Sequence, residues 1–470
     1  MSQNGLSQSE VTSNAAKNRT LILVVICLLA IVTTFMVSAL NVALPAISRE
    51  FNADAVLLNW IVAAYALSIA IFSVPFGRIA DIVGIKKVFL IGIGTIILSS
   101  GLVIFANSAP FLVFIRLLQG IGAAMITSTS MAMISASFPG KQRGRALGFY
   151  TACVYAGISM GPLFGGILTE RLNWKVIFWA PLPIGLVVLL LALWKIRGEW
   201  AESKGEKFDY IGSLIYGISL AALMYGFSLL PGVSAGIITL IGILGIVGFL
   251  IYENSNASPI LDISLFKNNR AFIFSNLAAL IAYTATSAIT FLISLYLQYI
   301  KGFNAEVAGL ILITQPVIQT ILSPIAGRLS DKFETRRVAS IGIAIVCLGL
   351  IAFAFLTGAT SIGLIIVNLV LLGAGFALFS APNINAIVSS VQPKYYGVAS
   401  SMSGTMRTIG QTLSIGICII IMAIFIGRVV IGPENIQALL TSVKITFGIC
   451  AFLCFLAVFA SLARGNSRNN

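Results

Sequence analysis

Apolar runs of about twenty residues recur along the chain from Leu21 to Leu462, separated by short polar stretches that carry nearly all of its charge. At ~1.5 Å per residue such a run, wound as a helix, crosses the ~30 Å hydrocarbon core of a bilayer. A helix also satisfies its own backbone there. Fourteen spans are predicted, at 21–45, 57–76, 88–106, 110–134, 146–168, 176–195, 210–230, 235–252, 272–298, 306–326, 338–357, 361–386, 399–427 and 442–463. The two-residue alternation of a membrane barrel is absent, so the expected fold class is an all-α polytopic membrane protein. The first apolar run is too long for a signal-peptide core and has no clear cleavage pattern, so span 1 is expected to be retained. The six cysteines fall within spans without metal-ligand spacing and read as small apolar packing residues.

Composition agrees with this pattern: 58% of the residues are hydrophobic and 9% charged, where a soluble domain carries roughly 25% charged residues. An even number of spans puts both termini on one face. Of the 29 Lys and Arg, 21 fall on that face, six on the other and two inside spans. By the positive-inside rule the termini are cytoplasmic and the chain is a multi-pass protein of the plasma membrane. The net charge of +14 then needs no nucleic acid, because the basic residues sit where anionic lipid head groups lie.

A repeat divides the chain. Gly77-Arg78-Ile79-Ala80-Asp81, followed by Lys86-Lys87, returns 250 residues later as Gly327-Arg328-Leu329-Ser330-Asp331, followed by Arg336-Arg337. Gly120 and Gly122 on span 4 match Gly373 and Gly375 on span 12, and Gly148 is matched with Gly397. The expected organisation is a tail at 1–20, a six-helix bundle at 21–195, a linker at 196–209, inserted helices 7 and 8 at 210–252, a connector at 253–271, a second six-helix bundle at 272–463 and a tail at 464–470. The tails, linker and connector are expected on the cytoplasmic side. Two pseudo-symmetric bundles around a central site are a common basis of alternating access. Duplication kept for packing alone is the other reading, and turn motifs at equivalent positions favour two halves that rock.

On these residues the chain resembles the major facilitator superfamily and, within it, the fourteen-span drug/proton antiporter branch. Gly77 to Lys87 is similar to the family's motif between spans 2 and 3, with Gly84 at its turn; the second copy departs from it at Glu334. The glycines allow a tight turn, and an Asp can sit against the N-terminus of a facing helix. The resemblance implies a cytoplasmic gate at Gly77, Arg78, Asp81, Gly84, Arg328 and Asp331. The competing reading is a solvated basic loop that sets topology alone. Gly157, Gly161, Pro162, Gly165 and Gly166 on span 5 resemble the antiporter motif, where glycines four apart permit close helix approach and proline interrupts the hydrogen-bond ladder. Arg116-Leu117-Leu118-Gln119-Gly120 on span 4 resembles a family motif built on a buried arginine. Arg116 is read either as a cavity group or as a side chain snorkelling to the outer surface.

Relatives in this branch usually carry an aspartate before the Asn41-Val42-Ala43-Leu44-Pro45 segment, where this chain has Met36. The 15 acids fall in loops or at span ends, and there is no histidine. The polar and aromatic groups left for a substrate or coupling cavity are Asn41, Tyr65, Arg116, Gln119, Tyr155, Gln298, Gln315, Asn383, Arg407 and Gln411, a set that suits a neutral, zwitterionic or anionic amphiphile better than a dication. Arg407 has the alternative of reaching the gate. The expectation is a monomeric secondary-active exporter of a small organic compound, with protons as coupling ion by resemblance, no cofactor and no catalytic or metal site. A uniporter or metabolite permease without proton coupling stays open. An enzyme would need a cluster of activated groups that the spans lack.

Overall fold

The computed structural model describes residues 8–465 apart from 54, 197, 202, 231, 257, 268 and 427–434. The outer ends of both tails, and the acids Asp54, Glu202 and Glu434, therefore lie outside the described residues. Seventeen α-helices follow one another among the described residues: α1 Gln8–Phe51, α2 Ala55–Val83, α3 Ile85–Leu102, α4 Ala109–Ser137, α5 Gly140–Arg171, α6 Val176–Trp179, α7 Leu182–Lys195, α8 Tyr210–Ser228, α9 Val233–Ser255, α10 Arg270–Thr286, α11 Ile289–Leu295, α12 Ala305–Leu312, α13 Thr314–Lys332, α14 Thr335–Ala354, α15 Ile362–Ser389, α16 Tyr396–Phe425 and α17 Ile436–Leu462. They make 14 segments long and apolar enough to cross a membrane.

The extra helix count comes from three interrupted spans. Span 6 breaks between α6 and α7 at Pro181 and Pro183, which donate no backbone hydrogen bond. Span 9 breaks between α10 and α11, where the freed Ala288 N–H donates to the Ser414 hydroxyl at 2.9 Å; it then ends in a π-turn, Tyr296–Ile300. Span 10 breaks at Ile313, where Pro316 leaves the Leu312 carbonyl without its helical donor.

The repeat is visible in the packing. Within the first half α1 packs on α5, α4 on α2 and α3, and α7 on α1 and α3. Within the second, α10 packs on α16, α15 on α13 and α14, and α17 on α10 and α14. The matched glycines occupy equivalent contacts. A Cβ on Gly120 would fall 2.6 Å from the Tyr65 carbonyl of α2, and one on Gly373 would fall 2.7 Å from the Gln315 carbonyl of α13. Gly122 and Gly375 meet the carbonyls of Gly92 and Gly342 in the same way, at 3.0 and 2.8 Å. The halves meet reciprocally, α5 on α13 and α2 on α16.

The inserted pair α8 and α9 is tied by Gly226, Gly242 and Gly245, each of which brings its backbone against the partner helix. Exposed Val233, Ile237, Leu240, Leu244 and Ile251 cover α9, a face that only lipid can solvate. α8 packs on both α2 and α16. The Tyr216 hydroxyl donates to the Ala70 carbonyl at 3.2 Å and lies 3.4 Å from Thr405 Oγ1, so α8 lies across the seam between the halves.

Candidate functional site

With fourteen spans both chain ends lie on one face, here called the terminal face, and the repeated Asp motif joins the two halves there. Asp81 and Asp331 sit in the last turns of α2 and α13, not in loops, because each helix runs on through the motif. Asp81 is 2% exposed. Its carboxylate accepts from the backbone N–H groups of Gly397 (2.8 Å) and Val398 (3.1 Å) at the start of α16. Asp331 accepts from Gly144 (2.7 Å) and Arg145 (2.8 Å) on α5. An anion at a helix start is favoured by the helix dipole and the free N–H groups. Each Asp thus pins one half to the other.

Gly77 does not make a turn. It lies inside α2, and a Cβ there would fall 2.6 Å from the Gly397 carbonyl, so its missing side chain lets α2 approach α16. The turn is at Gly84, whose φ of 129° favours glycine. The reciprocal contact is Gly327 against Gly144 and Gly148. Because Gly144 carries the amide bonded to Asp331 as Gly397 carries that bonded to Asp81, the counterpart of Gly397 is Gly144, one turn before Gly148.

The two arginines of the motif part company. Arg78 is 4% exposed, donates to Ser203 Oγ (3.4 Å) and pairs with Glu206. Arg328 is exposed. The cause is the linker at 196–209, whose described residues bond to the first copy and not to the second. Ile85 N–H donates to the Trp200 carbonyl, Lys86 N–H to Glu199, and Ser203 N–H to the Asp81 carbonyl. Ser203 Oγ also donates to the Lys394 carbonyl in the second half. Glu334, in the place of the turn glycine, instead pairs with Arg336 and Arg337. Arg143 adds a bond across the halves, donating to the Tyr396 hydroxyl (3.0 Å) and Ser389 (3.2 Å). Arg143 and Tyr396 were not expected from the sequence, where Arg143 reads as one of several topology-setting basic residues.

Arg116 is 1% exposed, which excludes snorkelling. Its Nε donates to the Ile61 carbonyl (3.1 Å), its Nη1 to Gln119 Oε1 (2.8 Å), and Gln119 Nε2 to Ser100 Oγ (3.1 Å). The guanidinium lies 4.2 Å from the Tyr65 ring centroid, and Nη2 has no partner among the described residues. Among the described residues no carboxylate bonds this cation, and its charge is met by the ring face and dipoles. Arg407, on α16, interacts electrostatically with Tyr65, Tyr150 and Tyr155 across the halves. Tyr155 meets the edge of Phe376, which also contacts Tyr283. Arg407 therefore belongs to this central cluster of two arginines and five aromatic groups from both halves. Tyr150, Tyr283 and Phe376 were missed in the sequence, because aromatics in an apolar span carry no signal until the helices are packed.

The other expected cavity residues are not all gathered. Gln298 donates to Ser294 on its own helix, and Asn383 to the Ser275 carbonyl, an interhelical packing bond. Asn41 and Gln411 are exposed and Gln315 half-buried. On α5, a Cβ on Gly157, Gly161 or Gly165 would come within 3.0 Å of α1 backbone atoms, whereas Pro162 is exposed and Gly166 has room. The antiporter string is thus an α1–α5 packing surface. Met36 is 4% exposed and lines a narrow pocket with Leu29, Ile93, Ile96, Ser100 and Phe178, between α1, α3, α6 and α7. It faces the back of the first half, and Ser100 links that pocket to Gln119 and Arg116.

A sequence model of the family described as Major Facilitator Superfamily matches residues 26–413, and again 275–469. The chain belongs to that superfamily. It is 30% identical over 383 residues to the multidrug resistance protein Stp of Mycobacterium tuberculosis (strain CDC 1551 / Oshkosh), covering 80% of this chain and 71% of Stp. It is 29% identical to the riboflavin transporter RibZ of Clostridioides difficile (strain 630), covering 84% and 87%, and 30% identical to the cephamycin export protein CmcT of Amycolatopsis lactamdurans, covering 88% and 87%. The crystal structure of the human organic anion transporter MFSD10 matches the fold with a TM-score of 0.65 at 14% identity, over 93% of this chain and 99% of that one. These relatives put the chain in the drug-efflux branch of the superfamily, as a multi-pass transporter of small molecules.

Proposed function

We propose that this transporter exports a neutral, zwitterionic or anionic amphiphile across the plasma membrane, as a monomer with cytoplasmic termini, by alternating access in exchange for protons. The observation that carries the substrate class is the central cluster, in which Arg116 of the first half and Arg407 of the second both act on Tyr65, and no carboxylate among the described residues bonds either. Such a site attracts negative charge and flat aromatic surface and repels cations. The Asp81 and Asp331 clamps support a gate on the cytoplasmic face, since each is made between halves and is lost when they part. Relatives named for riboflavin and cephamycin support a small organic cargo. The test is a thermal-stabilisation screen of the purified protein, followed by flux of the hits in proteoliposomes with and without an imposed pH gradient. Stabilisation by anionic aromatic compounds and flux accelerated by the gradient are expected; stabilisation by dications alone would overturn the substrate class. A uniport reading is favoured by one observation, that Met36 lies in an apolar pocket where the branch's relatives have an acid. Flux indifferent to the pH gradient would decide for it.

A further inference from the structure

The inserted helix pair carries two carboxyl groups packed against each other at the membrane boundary. Asp209 is the N-cap of α8: its Oδ1 accepts from Gly212 N–H (2.9 Å) and from the Tyr252 hydroxyl (3.4 Å), and its Oδ2 from Asn256 Nδ2 (2.6 Å). Glu253, near the end of α9, is 2% exposed. Its Oε2 accepts from the Leu261 N–H (3.2 Å), whereas its Oε1 has no donor among the described residues. That oxygen and Asp209 Oδ2 share the space that a Cβ on Gly212 would fill, 2.3 and 2.2 Å from its place, and the two carboxyls are within hydrogen-bonding reach of each other. Neither makes an ion pair among the described residues. Among the described residues the pair accepts from the Gly212 and Leu261 amides, the Tyr252 hydroxyl and the Asn256 amide, while Lys267 on the connector donates instead to Asn254.

Two ionised carboxylates in this geometry repel, and a buried acceptor without a donor is unfavourable. One proton removes both defects, because the protonated carboxyl donates to the other. We propose that Asp209 and Glu253 share a single exchangeable proton, taken from water on the terminal face, and form a proton-binding site that helps to hold the gate on that face closed. The link to the gate is α8 itself. Asp209 begins the helix, and two turns later Tyr216 rests on Ala70 of α2 and Thr405 of α16, the two helices clamped by Asp81. Loss of the proton sets the carboxylates against each other and loosens the start of α8 from α9 and the connector, and with it the brace across the seam. This inference does not depend on proton antiport.

Glu253→Gln supplies the missing donor permanently, since the amide can donate to Asp209; Asp209→Asn keeps a good N-cap. Infrared difference spectra of the full chain in proteoliposomes are expected to contain one protonated carboxyl at neutral pH that is absent from both variants and retained in Asp81→Asn. Distances between spin labels on the terminal ends of α2 and α16 are expected to grow in the wild type as pH rises, and to stay short in Glu253→Gln. A poorly folded variant would open instead of staying closed, so it cannot imitate this result. No protonated carboxyl at neutral pH, or equal opening of wild type and Glu253→Gln with pH, would overturn the proposal. A wild-type flux indifferent to a pH gradient would instead count against proton antiport and leave the site standing.

Discussion

Asp81→Asn puts the gate to a quantitative test. In the closed arrangement the carboxylate accepts two backbone hydrogen bonds, at 2.8 and 3.1 Å, and is almost wholly buried. Hydrogen bonds to a charged group contribute about 1.5–3 kcal/mol each, so the gross attraction is roughly 3–6 kcal/mol. Asparagine keeps one oxygen acceptor and turns an NH2 toward the second amide, so a single neutral bond of ~1 kcal/mol survives. Against this loss, the carboxylate surrenders its hydration when the gate closes, and a desolvation cost of several kcal/mol disappears with the charge. The large terms partly cancel, leaving about 1–3 kcal/mol against the closed form, a shift of roughly 5- to 150-fold in the opening equilibrium. Label distances across α2 and α16 are expected to broaden toward the open form, with slower flux at unchanged membrane insertion. Asp331 clamps the other seam, and Asp331→Asn is expected to add to Asp81→Asn because the sites share no partner. Unchanged distances and wild-type flux in both single variants and in the double variant would refute the gating role.

Arg116→Ala is expected to abolish export and Arg116→Lys to restore part of it, because a point charge cannot reproduce the bonds to Ile61 and Gln119 together with stacking on Tyr65; normal flux in the alanine variant would make the cluster a packing feature. Met36→Asp introduces an acid into an apolar pocket, so its proton is held more tightly than in the unfolded chain and stability falls as pH rises. A melting temperature that drops with pH, relative to wild type, checks this, and pH-driven export of a dye cation would appear if Ser100 connects the acid to Arg116. Gly161→Ala is expected to cost about 1–3 kcal/mol by overpacking α1 against α5, whereas Gly166→Ala, with its nearest neighbour 3.8 Å away, is expected to leave the melting temperature unchanged. Burial alone would raise the Asp262 carboxyl, but hydrogen bonds from Ser264 and the Tyr395 hydroxyl hold it below the usual carboxylate value. The stability it contributes is present above the ordinary aspartate value of ~3.9 and is lost as pH falls below it, so Asp262→Asn should flatten the acid limb of the wild-type melting profile.

The fourteen spans were legible because lipid imposes length and apolarity on every crossing segment independently of its neighbours. The breaks in spans 6, 9 and 10 were not, although Pro181, Pro183 and Pro316 mark two of them in retrospect. The repeat singled out Asp81 and Asp331 together, and the structure places both at contacts between the halves. It could not distinguish Arg78 from Arg328, whose difference comes from a linker outside the repeat. The buried state of Arg116 was one of two readings left open by its depth, and only packing against Tyr65 decides it. Met36 illustrates the deeper limit: the residue type excludes a charge at that depth, but which side of α1 it occupies depends on how α3, α6 and α7 dock. Glu253 looked like an ordinary acid at a span end, and its missing donor became apparent only when Asp209 was found beside it.

The linker gives unequal motion to a molecule made of two like halves. Its fourteen residues, 196–209, could stretch to about 48 Å at ~3.4 Å each, so the covalent thread is slack and sets no limit on how far the halves swing. What restrains them is adhesion along one seam, where Trp200, Ser203 and Glu206 hold α2, the start of α3 and the approach to α16. Among the described residues the linker makes no such hydrogen bond to the α5–α13 seam, which Asp331 fastens. The expected order of release is therefore α5 from α13 first, with the linker-held seam serving as a pivot until the thread peels away. The pathway would then open as a wedge from one flank, and cargo on the terminal face would first meet the surfaces of α5 and α13.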